Sequence, residues 1–286
     1  MNFKLATNKD IPSLKQIWSI CFNEPQEAIE LFFENKFNDK NCVVLEVENK
    51  IVSALYMLDA TIVLNDKIYP CYYLYAAGTL PSYRGLKYMT QLINYSNDLA
   101  FKNGKDFSFL LPASKSLYGY YEKLGYKRFF KQKIVVLKNE DIKKYKPSSK
   151  NEESSLDSVN NLRYNSLLGN EGSIMWSKES IKYAILINEA YNGKTVFVKE
   201  GYAICIPQDS KNLIVTELIS SSSSFDNLIG AIYSNFPSYD YYHFRLPAFD
   251  NHFKNGKNID FGMIKVLNKN INLNDKSNPY LGLALD

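Results

Sequence analysis

The sequence has few of the residues that build most metal and redox sites. Its 286 residues include four cysteines and two histidines. The cysteines lie far apart in apolar contexts, which is typical of small core residues in a reducing compartment. The histidines, His243 and His252, are too distant from any cysteine to build a zinc site. We therefore expect no metal cofactor and no disulfide framework.

Long apolar runs are missing too. No segment approaches the roughly 20 apolar residues that a membrane-spanning helix needs. The first residues, Met-Asn-Phe-Lys-Leu-Ala-Thr, lack the long apolar core of a signal peptide. We expect a cytoplasmic protein with no membrane partner.

A strong excess of one charge is also absent, because the formal net charge is only +4. The charge is uneven, however: residues 1–150 hold 22 Lys and Arg against 15 Asp and Glu, and the remainder holds 12 against 15. A bound anion in the first part and solvated surface lysine explain this asymmetry equally well. The net charge by itself does not indicate a nucleic-acid partner, and we expect none.

What the sequence does contain is enough apolar residues, 45% of the total, for two domains of ordinary size. The periodicity predicts a strand, two helices, an antiparallel meander and then strand-helix-strand-helix-strand, up to residue 137. This order is typical of an α/β (α+β) fold with a central mixed sheet flanked by helices.

The second part of the chain predicts a diverged repeat of that fold. A polar, lysine- and serine-rich stretch at 141–160 is typical of a linker, so we expect domains at 1–140 and 161–286. Beyond the linker, a helix at 178–188, several strands and a helix at 225–236 echo the second part of the first domain. Strands are expected last at 261–267 and 280–285.

Residues 75–93 carry the most informative pattern. An aromatic and small-residue strand ends at Pro81, which cannot donate a ladder hydrogen bond. A helix with one apolar face follows, and its first backbone N–H groups have no intrahelical acceptor. With Arg84 and Lys87 beside them, these groups predict a site for a phosphate or pyrophosphate.

Two segments resemble the GNAT superfamily of acetyl-CoA-dependent N-acetyltransferases: Leu-Pro-Ser-Tyr-Arg-Gly-Leu-Lys-Tyr-Met at 80–89 and Leu-Tyr-Gly-Tyr-Tyr-Glu-Lys-Leu-Gly-Tyr at 117–126. The two-domain layout is similar to tandem-GNAT acetyltransferases of the enhanced-intracellular-survival type. The resemblance implies that Tyr121 is the general acid and that Gly78 and Thr79 adjoin the pantetheine arm and the thioester. It also implies a loop for the CoA pyrophosphate, formed by Arg84, Gly85, Leu86, Lys87, Tyr88 and Met89.

The sequence departs from the family pattern at two positions of that loop. Lys87 and Met89 stand where the family has small residues. Because a Cβ crowds a phosphate, Lys87 either adopts helical geometry with its side chain turned away or narrows the site. Met89 is expected to begin the buried face of the helix.

The resemblance implies direct attack of a primary amine, on a small molecule or a peptide, on the thioester of acetyl-CoA. Tyr121 would protonate the leaving thiolate, although it could also be one more packing aromatic. No base stands out, since Glu122 lies on another helix face and Asp286 and a water are equal candidates. The alternative is a catalytically degenerate acyl-CoA-binding or regulatory protein. An aminoacyl-tRNA-dependent transferase would need a basic second domain, which the charge does not support. The acceptor's identity and the oligomeric state stay open.

Overall fold

The computed structural model describes residues 1–147, 155–273 and 278–285. The chain forms two compact units. The first comprises Met1–Phe129 and Gly262–Asp275, and the second comprises Phe130–Phe261 and Lys276–Asp286. Each unit has a sheet and helices of its own.

The elements are numbered in chain order through both units. The strands are β1 (Asn2–Leu5), β2 (Cys42–Val47), β3 (Lys50–Leu64), β4 (Lys67–Thr79), β5 (Phe107–Leu110), β6 (Lys127–Arg128), β7 (Lys131–Lys138), β8 (Ile174–Trp176), β9 (Lys194–Val198), β10 (Gly201–Pro207), β11 (Asn212–Ser220), β12 (Tyr241–Pro247), β13 (Lys257–Asp260) and β14 (Met263–Val266). The α-helices are α1 (Ile11–Phe22), α2 (Gln26–Asn35), α3 (Tyr88–Lys102), α4 (Lys115–Glu122), α5 (Asn139–Ile142), α6 (Leu156–Leu167), α7 (Lys178–Ala190) and α8 (Phe225–Asn235).

The sheet of the first unit runs in the order β1-β2-β3-β4-β5-β14-β6. Its neighbours are antiparallel except for β4 and β5, which run parallel and are joined through α3. A parallel pair needs such a crossover connection. The pair therefore brings the carboxyl ends of β4 and β5 to one edge of the sheet.

Helices cover both faces of this sheet, as two neighbouring tyrosines of β4 show. The Tyr72 hydroxyl donates to Asn97 of α3 at 2.7 Å. The Tyr75 ring lies 5.8 Å from the ring of Trp18 in α1. Since residues of opposite parity point to opposite faces of a strand, α3 and α1 lie on opposite sides of β4. Tyr72 and Tyr75 are therefore core residues.

The sheet of the second unit runs in the order β13-β7-β12-β11-β10-β9. It repeats the central arrangement of the first, because β11 and β12 run parallel and are joined through α8 while the other neighbours are antiparallel. An apolar cluster between α8 and the sheet includes Val196, Cys205 and Leu228, all buried. The alternate residue Phe197 faces the other side, where it lies beside α7.

The structure confirms the predicted fold class, a mixed sheet flanked by helices, and corrects several details. The strand predicted at 261–267 forms as β14, which pairs with β5 in the sheet of the first unit, and β13, which precedes it, was not predicted. Residues 280–285 are buried but form no strand. The Ile174 amide donates to the Tyr280 carbonyl at 2.9 Å, but this contact does not continue into a strand ladder, which periodicity cannot reveal. The predicted linker includes residues 148–154, which lie outside the described residues, so the predicted domain boundaries stay a prediction.

Candidate functional site

The strand β4 of the first unit contains a β-bulge. The register with β3 shifts between Ala54 and Tyr56, so that two residues of β4, Ala76 and Ala77, oppose one on β3. Ala76 has a φ of 44°, a left-handed conformation that is unusual for a residue with a Cβ. Bulges bend a strand and often adjoin active sites.

The bulge coincides with the place where the parallel strands separate. Pairing between β4 and β5 covers Cys71, Tyr72 and Tyr73 and stops there, although β4 continues to Thr79. The carboxyl-terminal half of β4 thus has a paired side, toward β3, and an open side. Crevices at the carboxyl ends of parallel strands are common ligand sites.

Thr79 presents its backbone to the open side of β4. The Leu80 amide donates to the Val52 carbonyl of β3 at 3.0 Å. Because consecutive amides alternate along a strand, the Gly78 amide also points toward β3 and the Thr79 amide points away from it. Gly78 has a packing role in addition, since a Cβ there would lie 3.2 Å from the Cys21 side chain.

The turn after β4 contains two left-handed residues. Gly85 has a φ of 82° and Lys87 a φ of 61°. Lys87 is the residue before α3, with a ψ of 17°, and it is exposed. It therefore adopts neither right-handed helical geometry nor a buried position. Glycine is the residue best suited to this conformation, which explains the glycine of the family pattern.

The backbone amides of this turn are available to an anion. Among the described residues no side chain caps α3, and the Gln91 amide is the first to find an acceptor within the helix, the Lys87 carbonyl at 3.1 Å. The amides at Tyr88, Met89 and Thr90 belong to the first turn, which lacks intrahelical acceptors. This arrangement, with exposed positive side chains nearby, suits a phosphate group.

Arg84 connects the turn to the end of β4. Its Nε donates to the Thr79 carbonyl at 3.0 Å, and its Nη2 lies 3.8 Å from the Cys21 Sγ. The Cys21 thiol donates to the same carbonyl at 3.4 Å. The Arg84 side chain thus holds one strand-end carbonyl and keeps further N–H groups for another acceptor. Sequence reasoning placed Cys21 in the core and missed this contact.

Tyr121, on α4, differs from its tyrosine neighbours in the hydrogen bonding of its hydroxyl. The Tyr120 hydroxyl lies 3.2 Å from the Thr90 Oγ1, which ties α4 to the first turn of α3. The Tyr126 hydroxyl lies 2.7 Å from the Ser108 Oγ in the core. Among the described residues, none forms a hydrogen bond with the Tyr121 hydroxyl. Its ring packs edge-on against both neighbouring tyrosines.

Burial keeps the Tyr121 phenol protonated. The side chain is 9% exposed. Burial first, and the nearby Tyr126 and Tyr120 hydroxyls second, raise the pKa of Tyr121 above the usual value for a phenol. A neutral phenol with an unused hydroxyl can donate a hydrogen bond to a nearby acceptor at neutral pH.

The candidates for a base are not brought to the site. Glu122 forms an ion pair with Arg128, whose Nε lies 2.9 Å from its carboxylate. Asp286 lies outside the described residues. In the part of the chain that the structure describes, no group of three or more His, Cys, Asp and Glu side chains could hold a metal ion. No described helix has the length and apolar character to cross a membrane.

Comparison with known proteins gives a family match for the first unit. Residues 2–129 match the family model described as an acetyltransferase (GNAT) domain. Curated proteins gave no match.

Solved structures match as well, and the following three each cover 93% of this chain. They include a GCN5-related N-acetyltransferase from Anabaena variabilis, 17% identical over 73% of that chain with a TM-score of 0.77. A protein of unknown function from Enterococcus faecalis, a probable N-acyltransferase, is 16% identical over 72% of its length with a TM-score of 0.78. Eis1 from Mycobacterium abscessus is 13% identical over 74% of its length with a TM-score of 0.70. Likeness at these identities shows a shared fold.

The family match and the fold confirm the resemblance found in the sequence. The opening between β4 and β5 and the turn before α3 lie within the matched residues. We conclude that residues 2–129 of this chain are an acetyltransferase domain of the GNAT superfamily.

Proposed function

We propose that the first unit binds acetyl-CoA and transfers its acetyl group to a primary amine of a small molecule or peptide. The amides of Gly85 to Met89 and the free N–H groups of Arg84 would hold the pyrophosphate. The pantetheine arm would lie along the open side of β4, with the Thr79 amide turned toward the thioester oxygen.

The observation that carries the proposal is the coincidence of three features within one sheet edge. These are the strand opening after Tyr73, the anion-binding turn at Gly85 to Met89, and a protonated tyrosine on the helix tied to that turn. An acyl-CoA needs an anion site, an extended groove and an acid for its leaving thiolate, and the first unit offers one of each.

Tyr121 would act as the general acid. The amine attacks the thioester carbonyl carbon, the carbon–sulfur bond breaks, and the phenol gives its proton to the thiolate. The attacking amine loses a proton to water, since Glu122 is occupied by Arg128. The phenol then regains a proton from solvent.

The test of this role compares Tyr121→Phe with Tyr120→Phe, a matched change one residue away. We expect Tyr121→Phe to lower kcat by about 100-fold, because general acid catalysis contributes on that order. Its affinity for acetyl-CoA should stay the same, and Tyr120→Phe should keep most of the activity. Turnover is measured as release of the CoA thiol with a polyamine, an amino sugar and a lysine peptide. Equal kcat values for the two variants would remove Tyr121 from the mechanism.

The donor site is tested by calorimetric titration with acetyl-CoA. Arg84→Ala should weaken binding by about 1–3 kcal/mol if its guanidinium meets phosphate. Lys102→Ala, at the far end of α3, removes the same charge and should leave the affinity unchanged. Equal affinities for the wild type and Arg84→Ala would contradict the pyrophosphate assignment. Tight binding without turnover of any amine would favour the acyl-CoA-binding alternative.

A further inference from the structure

The second unit has a cleft of its own, of about 460 Å³, at the carboxyl ends of β11 and β12. Ser220 ends β11, Pro247 ends β12, and both line the cleft. These strands are the parallel pair of the second sheet, so the cleft lies where open α/β sheets commonly bind ligands. The position corresponds to the opening between β4 and β5 in the first unit.

A fixed imidazole lies in this cleft. The His252 Nδ1 is 2.8 Å from the Asp250 carboxylate, and the His252 amide donates to the other oxygen of the same carboxylate at 3.1 Å. The ring also stacks on Phe225, with centroids 4.1 Å apart and planes 7° apart. The ring is therefore held at both its edge and its face.

The Asp250 contact decides which nitrogen is available. A carboxylate only accepts hydrogen bonds, so Nδ1 carries the proton that it donates to Asp250. In the neutral tautomer that this contact selects, Nε2 on the opposite edge of the ring is an acceptor. The His252 side chain is 24% exposed and lines the cleft.

The other lining residues exclude a strongly charged ligand. Among the described residues that line the cleft, none is a lysine or arginine that could neutralise an anion. The Asp250 carboxylate is already engaged by His252 and is not open to a cation. The remaining polar side chains are Asn251 and the hydroxyls of Ser166, Ser220 and Ser222, which lie beside the apolar side chains of Leu218 and Phe249.

We propose that this cleft is a second ligand site and binds a small uncharged molecule with hydroxyl or amide N–H groups and one apolar face, as in a neutral monosaccharide. A ligand hydroxyl donates to the His252 Nε2, the serines exchange hydrogen bonds with further hydroxyls, and the apolar face packs on Phe249. The site belongs to the second unit alone and is independent of acetyl transfer.

The direct test is NMR of the full chain labelled with ¹⁵N-histidine, because the sequence has only two histidines. The probe is N-acetylglucosamine at millimolar concentration, with inorganic phosphate and acetyl-CoA in parallel samples. We expect the sugar to shift the His252 imidazole signals and to leave those of His243 unchanged. No shift of His252 at tens of millimolar sugar would overturn the proposal. A shift caused by phosphate or acetyl-CoA and not by the sugar would overturn the ligand class.

Two variants check the location. His252→Gln should weaken sugar binding about tenfold or more, since it loses the acceptor edge of the ring. His243→Gln is the matched control, because His243 lies on β12 with its Nε2 2.8 Å from Asn212 and should bind as the wild type does. Ser222→Phe places a bulky side chain at an exposed position of the rim and should block binding without disturbing the core. Unchanged sugar affinity in Ser222→Phe would show that the probe binds elsewhere.

Discussion

The substitution Glu217→Gln is expected to destabilise the second unit strongly. Glu217 is fully buried, and Arg163 is 1% exposed. The Arg163 Nε lies 3.2 Å and 3.3 Å from the two carboxylate oxygens. The Tyr202 hydroxyl donates to the same carboxylate at 2.6 Å, and that of Tyr280 at 3.3 Å. One carboxylate therefore balances a buried charge and accepts from two buried phenols.

The size of the effect follows from what the glutamine leaves behind. The guanidinium stays buried without a counter-charge, and breaking one partner of a buried ion pair costs about 3–5 kcal/mol. The glutamine amide also turns one acceptor into a donor, so it faces a hydroxyl that already donates. Tyr202→Phe removes a single hydrogen bond and should cost only about 1–3 kcal/mol.

The measurement uses the two tryptophans of the chain, since each lies in a different unit. In a Trp18→Phe background the tryptophan fluorescence comes from Trp176, which lies in the second unit. Urea unfolding followed by this signal gives the free energy of unfolding of that unit. This separation matters because a chain with two units need not unfold in one step.

If Glu217→Gln lowers the free energy of unfolding by less than about 1 kcal/mol, the account of a charge-balanced core is refuted. The double variant Arg163→Met with Glu217→Leu is the control, since it removes both charges. It leaves no unpaired charge buried, so its loss of stability should come only from the Tyr202 and Tyr280 hydroxyls and the Ile174 carbonyl, which lose their partner. The Arg163 Nη2 finds no partner among the described residues, which makes the replacement more favourable still.

Other predictions concern the turn before α3, the buried phenols and the tail. Lys87→Gly should exceed Lys87→Ala in stability by about 1 kcal/mol, because only glycine tolerates the left-handed φ without strain; equal urea midpoints would contradict this. Burial raises the pKa of Tyr126 to about 12. The unfolded phenol ionises near pH 10, so the contribution of Tyr126 to the free energy of unfolding should be complete below that pH. It should fall by ~1.4 kcal/mol per pH unit up to the folded pKa. A urea midpoint that stays the same between about pH 9 and about pH 11 would contradict this prediction. Gly282→Ala should lower the urea concentration at which the second unit unfolds, because Gly282 has a φ of 72° and a Cβ there would lie 2.5 Å from Glu217. An unchanged urea midpoint would show that the backbone around Gly282 moves to accommodate the Cβ.

The local pattern of the first unit was sufficient to predict much of its structure. The strand β4 ends just before Pro81, as predicted. The helix that follows carries its buried residues, such as Leu92 and Ile93, at helical spacing. The family motifs lie in the same turn and in α4. These features are local, because they depend on residues a few positions apart.

The candidate site was only partly predictable, because its geometry depends on distant segments. The contact between Cys21 and the Thr79 carbonyl joins residues 58 positions apart. The bulge at Ala76 depends on the register between β4 and β3, which are separate strands. The role of Lys87 as a left-handed residue was missed, since a lysine does not itself indicate a positive φ.

The sequence by itself determined the order of elements, the mixed α/β class and the motifs of an acetyltransferase domain, since each rests on short-range periodicity, turn chemistry or a local pattern. Tertiary structure alone decided that β14 completes the first sheet, that β4 and β5 separate after Tyr73, and that Asp250 and Phe225 fix His252 in a cleft. These outcomes depend on which strands pair and where their registers shift. Pairing is settled by the packing of segments far apart in the chain, which no local pattern records.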